Sequence, residues 1–431
     1  MILKMKKVIF TLVLSFLMSS LNLIAQSDSA IVTLNQCITA ALIYNPLIKQ
    51  ASNEVVATKF ALKIAGSGYY PVISTDISAG FSDQYRLNNN YKTGNVSLSA
   101  DQSLWQKGKI KAFVDQAKFN QLARGNTLES QTADIIELVK TTYLNCQMQI
   151  KLYLLSVDNV KRSRLFLEYA SERYKTGTGR MSDVLKAESD LSGAEFDSED
   201  EKYLVARSQN ELSRLTGLST EILSKLEDPI RYEESNIYYL QIDSLRASAF
   251  HNYPDLKIVI NQEFSQQAII DEAKAELYPR IGLNVGYNWS YNPALQEQKG
   301  WFTGLTLRWQ LFSGNEQRNR IQFEMTKKVI FENKKDEIRD FLIKELSNRL
   351  INLREAESQI KLTDRMILST SENLEIAKAQ YNAGISSMLE LTDARINDLN
   401  AREKNIRALT AFQIALANLG RLTENLNQYH K

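Results

Sequence analysis

The sequence predicts a mainly α-helical chain that carries four β-strands of bilayer-crossing length and is built twice on one plan. Three observations predict it. Short motifs recur at a constant offset, four segments alternate apolar and polar residues, and the stretches between them are almost free of helix breakers.

The repeat sets the organisation. Asn45-Pro46-Leu47-Ile48-Lys49 is answered by Tyr253-Pro254-Asp255-Leu256-Lys257 at an offset of 208, and Tyr70-Pro71 by Tyr278-Pro279 at the same offset. Tyr174-Lys175-Thr176-Gly177 is answered by Tyr381-Asn382-Ala383-Gly384, and Arg214-Leu215-Thr216 by Arg421-Leu422-Thr423, at an offset of 207. Two structural copies are therefore expected, residues 26–217 and 244–431, joined by an inter-repeat segment at 218–243.

Residues 1–25 read as a secretory signal peptide: Lys4, Lys6 and Lys7, then a mostly apolar run from Val8 to Leu23, then Ala25 before the polar Gln26-Ser27-Asp28. The run is shorter than the roughly 20 residues a spanning helix needs, and no cysteine marks a lipid-anchor site. No later segment is apolar enough for a membrane helix.

Each copy opens with a helical stretch that ends near its second proline, and strands follow. In the first strand, 72–85, Ile73, Thr75, Ile77, Ala79, Phe81 and Tyr85 alternate with Ser74, Asp76, Ser78, Ser82 and Gln84. In the second, 95–105, Val96, Leu98, Ala100 and Leu104 alternate with Asn95, Ser97, Ser99, Asp101 and Ser103, after a polar loop at 86–90. The second copy places Ile281, Leu283, Val285, Tyr287, Trp289 and Tyr291 on one face of a strand at 280–291. After a loop at 292–299, Trp301, Thr303, Leu305, Leu307, Trp309 and Leu311 share a face of a strand at 301–312. Period-two alternation marks a strand with one apolar and one polar face, and each run matches the roughly 9–11 residues of a tilted transmembrane strand. Trp105, Trp289, Trp301 and Trp309 all fall in or beside the strands, which suits an interfacial girdle. A small soluble sheet packed on helices would show the same alternation; the secretion signal and the helical context weigh against it.

The remainder is long helix. Between Lys109 and Lys175 there is no proline, and Gly125 is the one glycine. Ile136, Val139, Tyr143, Cys146, Ile150, Tyr153, Val157 and Val160 form a heptad seam, matched by Ile343, Leu346, Leu350, Leu353, Ile360 and Ile367 with interruptions at Glu357 and Asp364. Roughly 65 residues of helix make a rod of about 100 Å, which needs partners along its length.

Composition narrows the function classes. The 52 basic and 50 acidic residues nearly balance, which removes any general argument for nucleic acid. Cys37 and Cys146 fit as small apolar residues of a helix seam rather than a disulfide framework. His251 and His430 are the only histidines, so neither a metal site nor a catalytic triad is expected, nor any cofactor. An enzyme is not expected.

Four strands cannot close a barrel alone, since the smallest single-chain bacterial barrels have about eight, and an open edge in hydrocarbon leaves backbone groups without partners. Other subunits must complete the sheet. Two chains would give eight strands and three would give twelve; a narrow barrel is filled by side chains, so only the wider one leaves a lumen.

The signal peptide, the two-fold repeat, two strands per copy and the paired long helices resemble the TolC family of outer-membrane efflux factors over nearly all of the mature chain. The most specific elements are the glycine-centred turns in Tyr174–Ala187 and Tyr381–Ala394. The resemblance implies a homotrimer with a 12-stranded barrel in outer-membrane lipid, continued by an α-helical tunnel in the periplasm of a Gram-negative bacterium. It implies a passive export duct of an efflux or type I secretion system, docked on a periplasmic adaptor (membrane fusion) protein and served by an inner-membrane RND or ABC transporter.

The candidate site residues lie at the turns. Gly177 and Gly384 end long helices, where glycine closes a helix in the left-handed conformation. Ser182 and Ser387 are candidate caps of the returning helices. A helical hairpin alone explains these features; the resemblance adds that such turns meet the adaptor, which marks Thr176, Gly177, Thr178, Ala383, Gly384 and Ile385 as docking residues. Glu390 and Asp393 share one helix face, and copies around an axis would form an acidic ring that favours cations at the pore entrance. Ser387 and Glu390 also fit a capping box. The resemblance further implies a gate set of an acid, a tyrosine and a basic residue. Asp183 and Tyr381 match the first two, while Ser386 stands where the basic residue is expected. Asp183 also suits the first turn of a helix through its dipole. The alternative reading of the chain is a secreted coiled-coil rod that tethers partners without a channel. A periplasmic adaptor is a weaker one, because it needs neither membrane-length strands nor a whole-chain repeat.

Overall fold

The computed structural model describes residues 31–84, 89–228, 242–291 and 297–423. The signal segment, Tyr85 at the end of the first expected strand, residues 86–88 and 292–296 of the expected loops, residues 229–241 of the inter-repeat segment and His430 lie outside the described residues. In chain order the elements are α1 Leu34–Tyr44, α2 Pro46–Gly66, β1 Val72–Gln84, β2 Asn89–Trp105, α3 Lys109–Lys175 and α4 Met181–Thr216. Then come α5 Ile242–Asn252, α6 Pro254–Ala275, β3 Arg280–Tyr291, β4 Gln298–Arg308, α7 Glu316–Asn382 and α8 Met388–Thr423. The fold is mainly helical with four antiparallel strands.

The local chemistry explains the breaks. Thr33 caps α1 by accepting from the Gln36 N–H at 3.2 Å, while the Gln36 side chain accepts from the Thr33 N–H at 2.9 Å. Pro46 and Pro254 each begin a helix, where the missing N–H costs nothing because the first turn has no acceptor for it. α3 and α7 are 67 residues long, and α4 and α8 are 36 residues long.

The described chain forms two compact units. One comprises Met1–Asn45, Ile135–Ser235 and Ile351–Asn418; the other comprises Pro46–Asp134, Asn236–Leu350 and Leu419–Lys431.

In the first unit Cys37, Val139, Tyr143, Cys146, Leu212, Leu223, Leu353 and Leu391 are completely or almost completely buried. The Tyr143 hydroxyl donates to the main-chain carbonyls of Val32 at 2.9 Å and Glu227 at 2.8 Å, tying the chain before α1 to the chain after α4. Cys37 and Cys146 are free thiols. Gly217 ends α4 at φ +73°, and a Cβ there would lie 2.5 Å from the Tyr44 ring. The α3 seam departs from the expected heptads after Cys146. Ile150, Tyr153, Val157 and Val160 are half-buried, and Leu152, Ser156, Asn159, Ser163 and Phe166 carry the buried face instead. The step is one residue, about 100° around the helix and far more than the ~20° per heptad that helical drift supplies. It is set by the neighbours packed there, among them Arg395, which bonds Asn159 and Ser163. In α7 Glu357 does not interrupt the seam from outside: it is 2% exposed and accepts from Lys361 at 3.2 Å.

In the second unit the strands form one sheet in the order β1-β2-β3-β4. Ile77 faces Val96, Val96 faces Trp289, Leu98 faces Tyr287, and Tyr287 faces Trp301 across the ladders. One sheet face is thus mainly apolar, with Lys92, Gln102 and Lys299 also on it. Ile73, Ile77, Phe81, Trp301, Leu305 and Leu307 on it are 65–80% exposed. The opposite face carries Ser74 beside Ser99 and Asp101 bonded to Asn284 at 2.6 Å. β2 begins at Asn89, so Asn89 and Asn90 belong to the strand rather than to the expected loop. β4 spans Gln298–Arg308 rather than 301–312. Trp309 leaves the ladder, donating its indole N–H to the Leu277 carbonyl at 3.1 Å.

Two expectations follow. Gly217→Ala combines a left-handed backbone with a clash against Tyr44, and should cost about 2–4 kcal/mol in denaturant unfolding. Burial, with Cys146 as a lesser cause, pushes the Cys37 thiol up to about 12. Because the thiolate is the reactive form, Cys37 should resist maleimide at pH 8 in the native protein and react once urea unfolds it.

Candidate functional site

The two glycine turns are built alike. α3 closes at Gly177, φ +75°, with the Gly177 N–H bonded to the Tyr174 carbonyl at 3.0 Å and the Thr178 N–H to the Arg173 carbonyl at 2.9 Å. α7 closes at Gly384, φ +78°, with the Gly384 N–H on Tyr381 at 3.0 Å and the Ile385 N–H on Gln380 at 2.9 Å. This pair of crossed bonds satisfies the last helical carbonyls and requires a left-handed residue between them. Thr176, Gly177, Thr178, Ala383, Gly384 and Ile385 are all exposed, Ile385 by 77%. The Thr176 and Thr178 hydroxyls bond each other at 3.0 Å, which stiffens the first turn.

The returning helices are capped differently. Ser387 precedes α8 and accepts from the Glu390 N–H at 3.3 Å, as a cap does. Ser182 is not a cap: α4 starts at Met181, Arg180 holds the cap position, and its side chain makes no capping bond. Sequence could not separate the two cases, because a serine inside the first turn and one just before it look alike within one or two residues.

Behind the turns, Phe166, Ala170, Ala187, Leu374, Ala377, Tyr381, Met388, Leu391 and Ala394 form one apolar cluster, so the two hairpins are packed against each other. Polar bonds cross the same junction. Thr392 donates to Asp190 at 3.0 Å, and the buried Arg395 donates to Asn159 and to Ser163 at 3.1 Å. Glu390 and Asp393 stand exposed on α8, while Leu391 and Thr392 between them are buried. The two carboxylates therefore share the face turned away from the cluster.

Asp183 and Tyr381 are brought within electrostatic range. Burial, then the Asp183 charge, pushes the Tyr381 phenol upward against the pull of Arg173. No hydrogen bond joins them: the Tyr381 hydroxyl is buried without a partner among the described residues. The group that does bond here is Arg173, whose guanidinium donates to the Tyr381 main-chain carbonyl and lies 4.9 Å from the centre of its ring. Sequence reasoning looked for a cation after the second turn and missed Arg173 before the first. The available signal was the absence of a basic residue in the last turn of α7, where a cation suits the helix dipole. The Ser386 hydroxyl donates to the Ala377 carbonyl at 3.5 Å and its N–H to the Gln380 carbonyl at 3.4 Å.

Among the described residues no group of His, Cys, Asp and Glu is arranged to hold a metal ion, and no helix is long and apolar enough to cross a membrane.

The model of the family described as outer membrane efflux protein matches residues 37–218 and again residues 245–424. The chain belongs to the outer membrane efflux protein family. Members of this family are outer-membrane efflux channels rather than enzymes, which places the chain in the outer membrane. It is similar to protein CyaE of Bordetella pertussis, 23% identical over 412 residues that cover 90% of this chain and 84% of that protein. It is also similar to the cation efflux system protein CusC of Escherichia coli, 22% identical over 377 residues covering 83% of this chain and 79% of that one. The solved structure of CusC superposes with a TM-score of 0.81 at 17% identity, covering 93% of this chain and 96% of that chain, which shows a shared fold.

Ser387→Ala should weaken the first turn of α8 by ~1 kcal/mol, read as faster amide exchange at Glu390 and Leu391 with the hairpin otherwise protected.

Proposed function

We propose that three copies of this efflux-family chain close a 12-stranded barrel and act as a passive export duct from the periplasm to the exterior. The observation that carries this is the sheet itself. Its four strands present one mainly apolar, solvent-exposed face, and β1 and β4 are left as open edges. A water-facing surface of that kind is unfavourable, whereas in hydrocarbon the apolar face is matched and only the edges need partners. Pairing β4 of one copy with β1 of the next satisfies them, and three copies leave a lumen. The secreted-rod alternative gives the exposed apolar face no role.

Two structural repeats, 26–217 and 244–431, are part of this reading. It is supported by the equal lengths of α3 and α7 and of α4 and α8, and by the two stretches of the family match. The exposed turns at Thr176, Gly177 and Thr178 and at Ala383, Gly384 and Ile385 would seat a periplasmic adaptor, coupling the duct to an inner-membrane RND or ABC transporter. Glu390 and Asp393 would ring the entrance, and Asp183 and Tyr381 would belong to the closed tip. The duct performs no chemistry, so its cargo is set by the pump.

The test is the mass of the detergent-purified protein together with single-channel current in a planar bilayer. A trimer with cation-selective openings is expected, and Glu390→Ala with Asp393→Ala should move the cation-to-anion permeability ratio towards unity. A water-soluble monomer or dimer without current would sink the duct; unchanged selectivity in the double variant would remove the ring.

A further inference from the structure

We infer that Arg173 is the side chain that couples the two tip turns, locking the second hairpin to the first and transmitting a disturbance of either turn to the closed tip. The inference rests on the duct reading above and assigns a positioning residue to it.

The geometry is specific. Arg173 sits in the last turn of α3, and its guanidinium crosses to the end of α7, where Nη1 donates to the Tyr381 carbonyl. That carbonyl also accepts the Gly384 N–H, so it is part of the second turn. On the other side, Nη2 donates to the Thr178 carbonyl at 3.4 Å, which belongs to the first turn. One planar group thus holds a carbonyl of each turn while its face covers the Tyr381 ring. Gly384 leaves room for it, since a Cβ there would lie 3.3 Å from Nη2.

The chemistry requires an arginine. The last turn of α7 contains no basic residue, so its carbonyl end has no local cation to complement the helix dipole. Arg173 supplies that charge from another helix. Lysine would keep the charge and lose the fork that reaches two carbonyls at once and stacks on an aromatic face.

The same contacts make the residue a coupler. The bonded carbonyls lie in exposed turns, so a protein seated on Thr178 or Gly384 would shift the acceptors of Arg173 directly. Behind it the apolar cluster of Phe166, Leu374, Met388 and Leu391 continues to hold the hairpins. Removing the guanidinium should therefore free the last turns without unfolding the chain.

The test compares single-channel recordings of the full-length protein, wild type against Arg173→Ala and Arg173→Lys, each first shown to have the same oligomeric mass. Losing a cation–π contact and a charge-assisted bond should raise the ratio of open to closed time on the order of tenfold in Arg173→Ala. Arg173→Lys should fall between it and wild type. Equal open times in wild type and Arg173→Ala would overturn the coupling role and leave Arg173 as a helix cap, while the duct itself would stand. Absence of current from wild type and both variants would instead overturn the duct reading.

Discussion

Backbone hydrogen bonding in hydrocarbon is the constraint on which the rest depends. A sheet that exposes Ile77, Phe81, Trp301 and Leu305 on one face is stable only against an apolar medium. In that medium an unpaired N–H or C=O has no water to turn to, at a cost of several kcal/mol each. Four strands with two open edges are therefore an incomplete object. In the proposed duct the chain supplies a fragment of a barrel, and pairing the edges of β1 and β4 with neighbouring copies completes it.

The helices obey a different rule. α3 and α7 are too long to be buried by one core, so each is stabilised locally by whatever packs on it. This permits polar residues inside the seams. Arg395 bonded to Asn159 and Ser163, and Asp398 bonded to Arg402 at 2.9 Å, are buried where a shorter helical domain would place leucine. Buried polar layers of this kind add less stability than apolar packing and fix register instead. They lie among the hairpins that end in the two glycine turns, where register decides which side chains meet. Stability is thereby concentrated in the apolar cluster, and a few directional bonds set how the tips are held.

Charge is arranged to the same end. The Ser387 hydroxyl accepts the Glu390 N–H in the first turn of α8, which leaves the Glu390 carboxylate exposed beside Asp393. Burial opposes ionisation of the Tyr381 phenol, so the ring serves as a neutral platform for the Arg173 guanidinium rather than as a partner of Asp183. A cation from one helix completing the dipole of another is a tertiary solution to a local deficit.

By itself the sequence determined the elements. Pro46 and Pro254 start helices because proline lacks only a donor that the first turn does not use, and Gly177 and Gly384 end them because their left-handed backbone excludes most side chains. Alternation placed the apolar face of all four strands, since a period of two is set by the backbone alone. What depends on partners was decided by the tertiary structure. The α3 seam moved to Ser156, Asn159 and Ser163 because the packing neighbours choose the buried face, as where Arg395 bonds Asn159 and Ser163. Trp309 left β4 for the Leu277 carbonyl because its strand had no further neighbour to pair with among the described residues. Arg173 found Tyr381 across 208 residues of chain, a pairing that no local pattern contains, because only the packing of two hairpins brings the end of one helix to the end of another.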